Sequence, residues 1–235
     1  MSMSKILAID TATEACSAAL MVGEQVLTRC EVAPRVHAQR ILPLVQSLLD
    51  EAGLSLGELD ALTFGRGPGS FTGVRIGIGV AQGLAFGAEL PLLPVSNLAA
   101  LAQGMHRICG ADRVMTAIDA RMSEIYWGRY ELDAQGLMRS LEEELVVPPQ
   151  LIHERLPEQG KEWQLAGTGW EAYPELMQTL TGHSLEGEYL RLPEAQDLLP
   201  LAVDALARGE TVSAAEATPV YLRDKVTWKK LPGRE

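Results

Sequence analysis

Apolar and polar positions alternate with strand and helix periods along the first 110 residues. KILAID at 5–10 has the continuous apolar run of a buried strand. Two more β-type runs follow, and Gly23 and Glu24 between them form a Gly-X pair that suits a type II′ hairpin. The predicted strands are 5–10, 15–22, 24–32, 60–64 and 91–95, and the predicted helices are 35–52, 71–88 and one capped by Ser96. This order is typical of an α/β unit.

The pattern then restarts. Strands are predicted at 113–119, at 124–132 and near 137–147, followed by a short strand at 163–167 and an amphipathic helix over 193–208. Asp10 and Asp119 both end an apolar strand in Ile-Asp before a hairpin, 109 residues apart. This match favours a duplication, but it is too short to establish one.

Charge and aromatic content bear on nucleic-acid binding. The chain has 31 acidic and 20 basic residues, a formal net charge of −11, and only 12 aromatic residues among 235. Nucleic-acid binders gain affinity by replacing phosphate counterions with Lys and Arg, so we expect another subunit to supply any RNA surface. The tail at 219–235 has five bases against two acids. A phosphate contact there is less favoured than a solvated terminus.

Cysteine usage and hydropathy predict a cytoplasmic protein. Cys16, Cys30 and Cys109 are odd in number and lack CxxC spacing, which favours reduced thiols. The N-terminal apolar run is too short for a signal peptide, and the uncharged stretch at 76–88 is too short to span a bilayer.

A glycine-rich loop precedes the helix at 71–88, and its backbone N–H groups would suit a phosphate or carboxylate. The residues that would contact such an anion are Gly67, Gly69, Ser70, Thr72 and Gly73. The alternative, favoured on spacing alone, is that the glycines only permit a sharp turn. The loop matches neither a Walker A motif nor a GxGxxG motif.

The helix at 71–88 contains glycine at unusual density. Gly79, Gly83 and Gly87 recur every four residues, after Gly73 and Gly77. Each helical glycine costs about 1 kcal/mol relative to alanine, so we expect another backbone to approach closely. A strand of the same domain and a helix of a partner chain are equally favoured neighbours.

No catalytic constellation is evident. Ser70 lacks the flanking glycines of a nucleophile elbow, and Asp10 and Asp119 are more typical of local turn hydrogen bonds than of a metal site. The histidines lie far apart and form neither HExxH nor HxxxH. They are His37, His106, His153 and His183.

Four segments together closely resemble the TsaB/YeaZ family: ILAIDTATEACSAAL, GRGPGSFTGVRIGIGVAQGLA, AIDARMSEIYW and PVYLRDKVTWKKLPG. The resemblance covers 5–233, and GPGSFTGVRIG is its most specific part. It implies an α/β fold of the acetate kinase/Hsp70/actin-like (ribonuclease H-like) type with two duplicated lobes. The expected first lobe is 1–107, the smaller second lobe is 108–215, and the tail at 216–235 returns to the first lobe.

The resemblance also bears on catalysis. The family is related to TsaD, a former "glycoprotease" that transfers a threonylcarbamoyl group to adenosine 37 in tRNAs reading ANN codons. TsaD-like proteins hold a metal through H-x-x-x-H in a segment resembling VNHLEGH. The matching segment here is VSNLAAL, so the ligand positions fall on Asn97 and Leu101. Leucine has no lone pair to donate, which implies a non-catalytic subunit with no metal site.

The resemblance further implies heterodimer formation with TsaD through the helices at 35–52 and 71–88, addition of the ATPase TsaE, and homodimer formation through the same surface without TsaD. The candidate interface residues are Ile41, Leu44, Val45, Leu48, Val74, Ile78, Gly79 and Gly83. We expect no cofactor on this chain alone, ATP or ADP at the complex interface, and tRNA contact mainly through the complex. The alternatives are a glycoprotease-like hydrolase and a sugar or acetate kinase-like phosphotransferase.

Overall fold

A computed structural model describes residues 4–155, 162–176 and 190–223. Within these ranges ten strands form two five-stranded sheets. The strands are β1 Lys5–Asp10, β2 Ala15–Val22, β3 Gln25–Val32, β4 Ala61–Gly65, β5 Leu92–Val95, β6 Arg113–Arg121, β7 Glu124–Leu132, β8 Met138–Ser140, β9 Leu145–Val147 and β10 Gln164–Ala166. The α-helices are α1 His37–Ala52, α2 Phe71–Ala88, α3 Asn97–Cys109, α4 Gly169–Ala172 and α5 Ala195–Ala207.

The first sheet has the order β3-β2-β1-β4-β5. β1, β2 and β3 are antiparallel, whereas β4 and β5 run parallel to β1. The β2–β3 turn is the predicted two-residue hairpin, because Val22 pairs with Gln25 and Gly23 has φ 61°. That positive φ is what the first turn position of a type II′ hairpin requires.

Helices cover both faces of the first sheet. α1 and α2 pack on one face, where the apolar residues of α1 join those of β1 and β2 in one core. α5 packs on the opposite face and buries Leu198 and Ala202 against Ile6 and Ala8. α3 packs against α5 and also contacts β6 and β7, so it joins the two sheets.

The second sheet repeats the arrangement of the first. β6 and β7 are antiparallel, and β10 runs parallel to β6 as β4 does to β1. Asp10 and Asp119 lie in corresponding strands near their carboxyl ends, as the Ile-Asp repeat predicts. The predicted duplicated, actin-like α/β fold is confirmed. The single strand expected near 137–147 is instead divided into β8 and β9, which both pair with β7.

The last helix differs from the domain prediction. The range 108–215 assigns α5 to the second lobe, but α5 packs on β1, β2, β4 and β5 of the first sheet. The backbone N–H of Ala195 donates to the Ser17 hydroxyl at 2.9 Å, which fixes the start of the helix there. The physical reason is that the apolar side of α5 covers a sheet face that α1 and α2 leave open. The range 108–215 therefore combines residues that pack on both sheets.

The tail crosses the first lobe as far as it is described. Ala217 lies in the core beneath α1 and α2, and the N–H of Val220 donates to the carbonyl of Arg66 at 3.0 Å. The remainder of the predicted tail, 224–235, lies outside the described residues and includes the basic residues Lys229, Lys230 and Arg234.

Among the residues described, no helix is long and apolar enough to cross a bilayer.

Candidate functional site

Three elements of the first lobe meet at one buried carboxylate. The side-chain amide of Asn97, at the start of α3, donates to Asp10 at the end of β1. The amide oxygen of Asn97 accepts the backbone N–H of Gly67 at 2.8 Å, and the N–H of Ala12 donates to Asp10 at 3.1 Å. Asn97 thus ties the glycine-rich loop to the β1–β2 turn.

Burial controls the chemistry of Asp10. Its side chain is 1% exposed, and desolvation raises its pKa to about 7, although the hydrogen bonds from Ala12 and Asn97 act in the opposite direction. A Cβ atom at Gly65 would lie 1.9 Å from the Asp10 carboxylate. Asp10 is therefore enclosed by its own chain, which leaves no space at this position for a hydrated ion.

The glycine-rich loop packs directly on the β1–β2 turn. A Cβ atom at Gly69 would lie 2.4 Å from the carbonyl oxygen of Ala12, and one at Gly73 would lie 2.2 Å from that of Thr11. Only glycine permits so close an approach of two backbones. Gly69 and Gly73 therefore have a structural function within the lobe, which is close packing on the β1–β2 turn.

Several backbone donors of the candidate anion loop are already used. The N–H of Gly67 donates to Asn97, that of Ser70 donates to the Ala12 carbonyl at 2.7 Å, and that of Gly73 donates to the Ser70 hydroxyl at 3.4 Å. Ser70 is therefore the N-cap of α2. In the described residues no hydrogen bond joins Ser70 to a histidine or a carboxylate. Thr72 is exposed on the first turn of α2.

The positions that match metal ligands of TsaD-like proteins have different functions here. Asn97 is fully buried, and its amide oxygen and nitrogen both form the hydrogen bonds given above. Leu101 is also fully buried and packs in the core between α3 and the second sheet. Neither side chain presents a lone pair to a cavity.

The other candidate ligands do not converge. Asp119 accepts the N–H of Arg121 at 2.8 Å, which is the local turn bonding expected for it, and it also accepts the hydroxyl of Tyr173 at 3.1 Å. His106 contacts the carbonyl of Ala111, and His153 that of Gln150. His37 is buried, and His183 lies outside the described residues. Among the described residues, no three His, Cys, Asp or Glu side chains form a metal-binding group.

The glycines of α2 divide between two faces. A Cβ atom at Gly77 would lie 2.8 Å from the Thr11 hydroxyl, so Gly73 and Gly77 face the first lobe. At Gly79, Gly83 and Gly87 a Cβ atom would meet nothing within 4 Å, and all three are exposed. We call Gly79, Gly83 and Gly87 the glycine face. A strand of the same domain does not explain it.

Six of the eight predicted interface residues are corrected by the structure, because their side chains lie in the core of the first lobe. They are Ile41, Leu44, Val45, Leu48, Val74 and Ile78, each at most 9% exposed. Apolar periodicity marks the side of a helix that faces its own protein, so it selected the wrong side of α1 and α2. The remaining two candidates, Gly79 and Gly83, are exposed.

The exposed apolar side chains of these helices were not predicted. Leu42 on α1 is 47% exposed, and Phe86 on α2 is 82% exposed. Leu42 lies among polar residues on the exposed side of α1, whereas Phe86 lies beside the exposed Gly83 and Gly87 of α2. A large apolar residue among polar residues or glycines is the sequence signal that would have identified them.

Known proteins resemble this chain along almost its whole length. A family model described as "TsaD: tRNA N6-adenosine threonylcarbamoyltransferase" matches residues 27–231. The "tRNA threonylcarbamoyladenosine biosynthesis protein TsaB" of Escherichia coli K12 is 54% identical over 98% of this chain and 100% of its own length. The protein of the same name from Haemophilus influenzae is 45% identical over 98% of both chains.

A solved structure gives the same result. The structure described as "YeaZ from Pseudomonas aeruginosa" is 52% identical, covers 94% of this chain and all of its own, and superimposes with a TM-score of 0.84. This chain therefore belongs to the TsaB (YeaZ) family of tRNA threonylcarbamoyladenosine biosynthesis proteins.

Proposed function

We propose that this chain is a non-catalytic subunit required for N6-threonylcarbamoylation of adenosine 37 in tRNAs reading ANN codons, and that it binds and supports the catalytic subunit TsaD. A role in tRNA threonylcarbamoyladenosine biosynthesis follows from the family, whose printed names state that pathway. The observation that carries the more specific role is the glycine face of α2, an exposed helix surface that no part of the described chain covers.

The side chains at the TsaD-type ligand positions support the absence of catalysis. Metal ligands need a free lone pair, and Asn97 uses its amide within the lobe while Leu101 has none. In the hydrolase alternative Ser70 would be the nucleophile, but its hydroxyl caps α2. The kinase-like alternative would require Asp10 to reach a metal ion, but Asp10 is enclosed.

The glycine face supports partner binding for an energetic reason. Helical glycine is unfavourable by about 1 kcal/mol relative to alanine, and at Gly79, Gly83 and Gly87 no contact with the described part of the chain offsets that cost. A partner helix that packs against this face would approach its backbone closely. The neighbouring Phe86 would supply apolar area to the same interface.

The other parts of the proposed assembly follow from the family resemblance. TsaE would join the heterodimer, ATP or ADP would lie at the complex interface, and this chain alone would hold no cofactor. Without TsaD, a second copy would cover the glycine face. The assembly would work in the cytoplasm and contact tRNA mainly through subunits other than this acidic one, whose net charge is −11.

The Gly83→Leu substitution tests the proposed interface with TsaD. The Gly83→Leu variant should fold with an unchanged or higher melting temperature, since its Cβ meets nothing within 4 Å. Its affinity for TsaD, measured by isothermal titration calorimetry, should fall at least about tenfold, which corresponds to about 1.4 kcal/mol. Ala134→Leu adds similar bulk at an exposed turn of the second lobe and should leave affinity unchanged. Equal affinities for both variants would refute the interface.

A further inference from the structure

A pocket of about 680 Å³ opens between the two lobes and the tail. Its walls come from the start of α2, from β7 and from the tail residues 220–223. The lining residues are Pro68, Gly69, Phe71, Val74, Arg75, Tyr126, Val220, Tyr221, Leu222 and Arg223. The volume lies within the range of about 300–1,000 Å³ that is typical of small-molecule sites.

An aromatic platform lies at the pocket. The rings of Phe71 and Tyr221 have centroids 6.3 Å apart and planes tilted by 33°. Phe71 is 66% exposed and Tyr221 is 51% exposed, although the chain has only 12 aromatic residues. The Arg75 guanidinium lies over both rings, 3.3 Å from the Phe71 centroid and 5.3 Å from that of Tyr221. Stacking fixes the plane of the guanidinium before any ligand arrives.

Arg75 also differs from most of the described arginines, because no described acidic residue pairs with it. Eleven of the fourteen arginines in the described ranges form an ion pair, and Arg35, Arg66 and Arg75 form none there. Arg223, the other pocket arginine, donates to Glu124 and to the carbonyl of Ala120, so it holds the pocket wall. Of the two arginines in the described pocket lining, Arg75 is therefore the one whose charge no described carboxylate offsets.

Among the described residues that line the pocket none is a carboxylate, although the chain as a whole carries a charge of −11. Glu124 offsets the charge of Arg223, so the positive charge of the described lining comes from Arg75. At physiological ionic strength charges beyond about 8 Å are screened. The pocket therefore combines two partly exposed aromatic rings with a guanidinium that stacks on them and that no described carboxylate neutralises. Single-stranded nucleic acids are bound by this combination, in which bases stack on aromatic or guanidinium planes and phosphates contact Arg.

We propose that this pocket binds one unpaired nucleotide of an RNA, with its base stacked on the Phe71–Arg75–Tyr221 platform and its phosphate contacting Arg75. The inference rests on the proposed function, which supplies tRNA as the RNA. It adds an RNA contact on the acidic subunit itself, on the same exposed side of α2 as the glycine face and one turn before Gly79. A partner carboxylate would use Arg75 but would leave the two ring faces and most of the volume without a function.

Fluorescence anisotropy with the full chain tests the pocket directly. The probes are a labelled single-stranded heptanucleotide RNA and an unmodified tRNA transcript, each titrated at several salt concentrations. Phe71→Ala and Arg75→Ala should each weaken binding of both probes about fivefold or more, and Arg75→Ala should reduce the salt slope by about 1. Arg35→Ala removes another exposed arginine without an ion pair, and it should leave affinity within about twofold. Arg75→Lys keeps the charge but loses the planar stack, and should give intermediate affinity.

The outcomes separate this inference from its rivals. The inference is overturned if the wild-type chain binds neither RNA, or if the Arg75→Ala variant binds both RNAs as tightly as wild type. ATP or AMP bound more tightly than either RNA would assign the pocket to a free nucleotide instead. Weakened TsaD affinity in Arg75→Ala with unchanged RNA affinity would assign Arg75 to a protein contact. The binding assay does not depend on transfer activity. If the chain binds RNA through Arg75 but is dispensable for transfer, the proposed function is disproved and this inference stands.

Discussion

Asp10 and Asn97, 87 residues apart, share a buried hydrogen bond that joins the end of β1 to the start of α3. The same asparagine accepts the N–H of Gly67. A metal-binding relative would place a histidine at this position, according to the family resemblance. Here the position connects the carboxylate, the glycine-rich loop and α3, so it holds the first lobe together.

Asn97→Ala should destabilise the chain strongly. The substitution leaves the buried Asp10 carboxylate without one donor and the Gly67 N–H without its acceptor, and each buried unsatisfied group costs about 1–3 kcal/mol. We expect the free energy of unfolding to fall by about 2–4 kcal/mol in urea titrations. Gln46→Ala, which removes an exposed hydrogen bond to Asp50 on α1, should change it by less than about 1 kcal/mol. Similar losses in the two variants would contradict the assigned role of Asn97.

The elevated pKa of Asp10 predicts an unusual pH dependence. Because its folded pKa is about 7, above the ordinary value of 3.8, the folded state retains a proton that the unfolded state releases. The Asp10 contribution to stability is therefore complete below about pH 4, falls as the pH rises to about 7 and is constant above it. The free energy of unfolding of wild type minus that of Asp10→Asn should fall by on the order of 4 kcal/mol as the pH rises across this window. If this value, wild type minus variant, stays constant or rises with pH, desolvation does not dominate the pKa of Asp10.

Alanine substitutions should distinguish the two faces of α2. Gly83→Ala places its methyl group in open space and gains helix propensity, so it should stabilise the chain by about 1 kcal/mol and raise the melting temperature by about 2–4 °C. Gly73→Ala places its methyl group 2.2 Å from the Thr11 carbonyl oxygen and should destabilise by about 1–3 kcal/mol. Differential scanning calorimetry of both variants measures the contrast. A destabilised Gly83→Ala would mean that the glycine face has an intramolecular neighbour.

The attachment of α5 depends on a buried ion pair. Asp197 is 1% exposed, its pKa is raised by burial, and Arg107 of α3 binds it through two hydrogen bonds of 2.7 and 3.0 Å. Arg107→Ala leaves this carboxylate uncompensated and should lower the free energy of unfolding by about 3–5 kcal/mol. Arg113→Ala removes a more exposed pair with Glu131, and should cost about 1 kcal/mol or less. Equal costs in urea unfolding would show that Asp197 is solvated.

Local signals predicted the secondary structure well. The bounds of β1, β2 and α2 match the expected ranges, because apolar runs, a Gly-X turn and a serine cap are all encoded within a few residues. Long-range packing could not be predicted in this way. An amphipathic pattern marks α5 as half-buried but does not specify which of two similar sheets it covers.

The candidate site shows the same limit. The glycine pattern identified α2 as unusual, but only the structure separates Gly73 and Gly77, which pack on the β1–β2 turn, from the exposed glycine face. The pocket at Arg75 joins residues separated by almost 150 positions, since Tyr221 reaches it through the returning tail. No sequence period connects such residues.

Reconstituted transfer of the threonylcarbamoyl group to an unmodified tRNA transcript is the most direct measurement of the central claim. We predict no transfer by this chain alone, little by TsaD and TsaE without it, full transfer when all three are present, and a loss with the Gly83→Leu chain. Turnover by this chain unaided, or full transfer in its absence, would contradict the account.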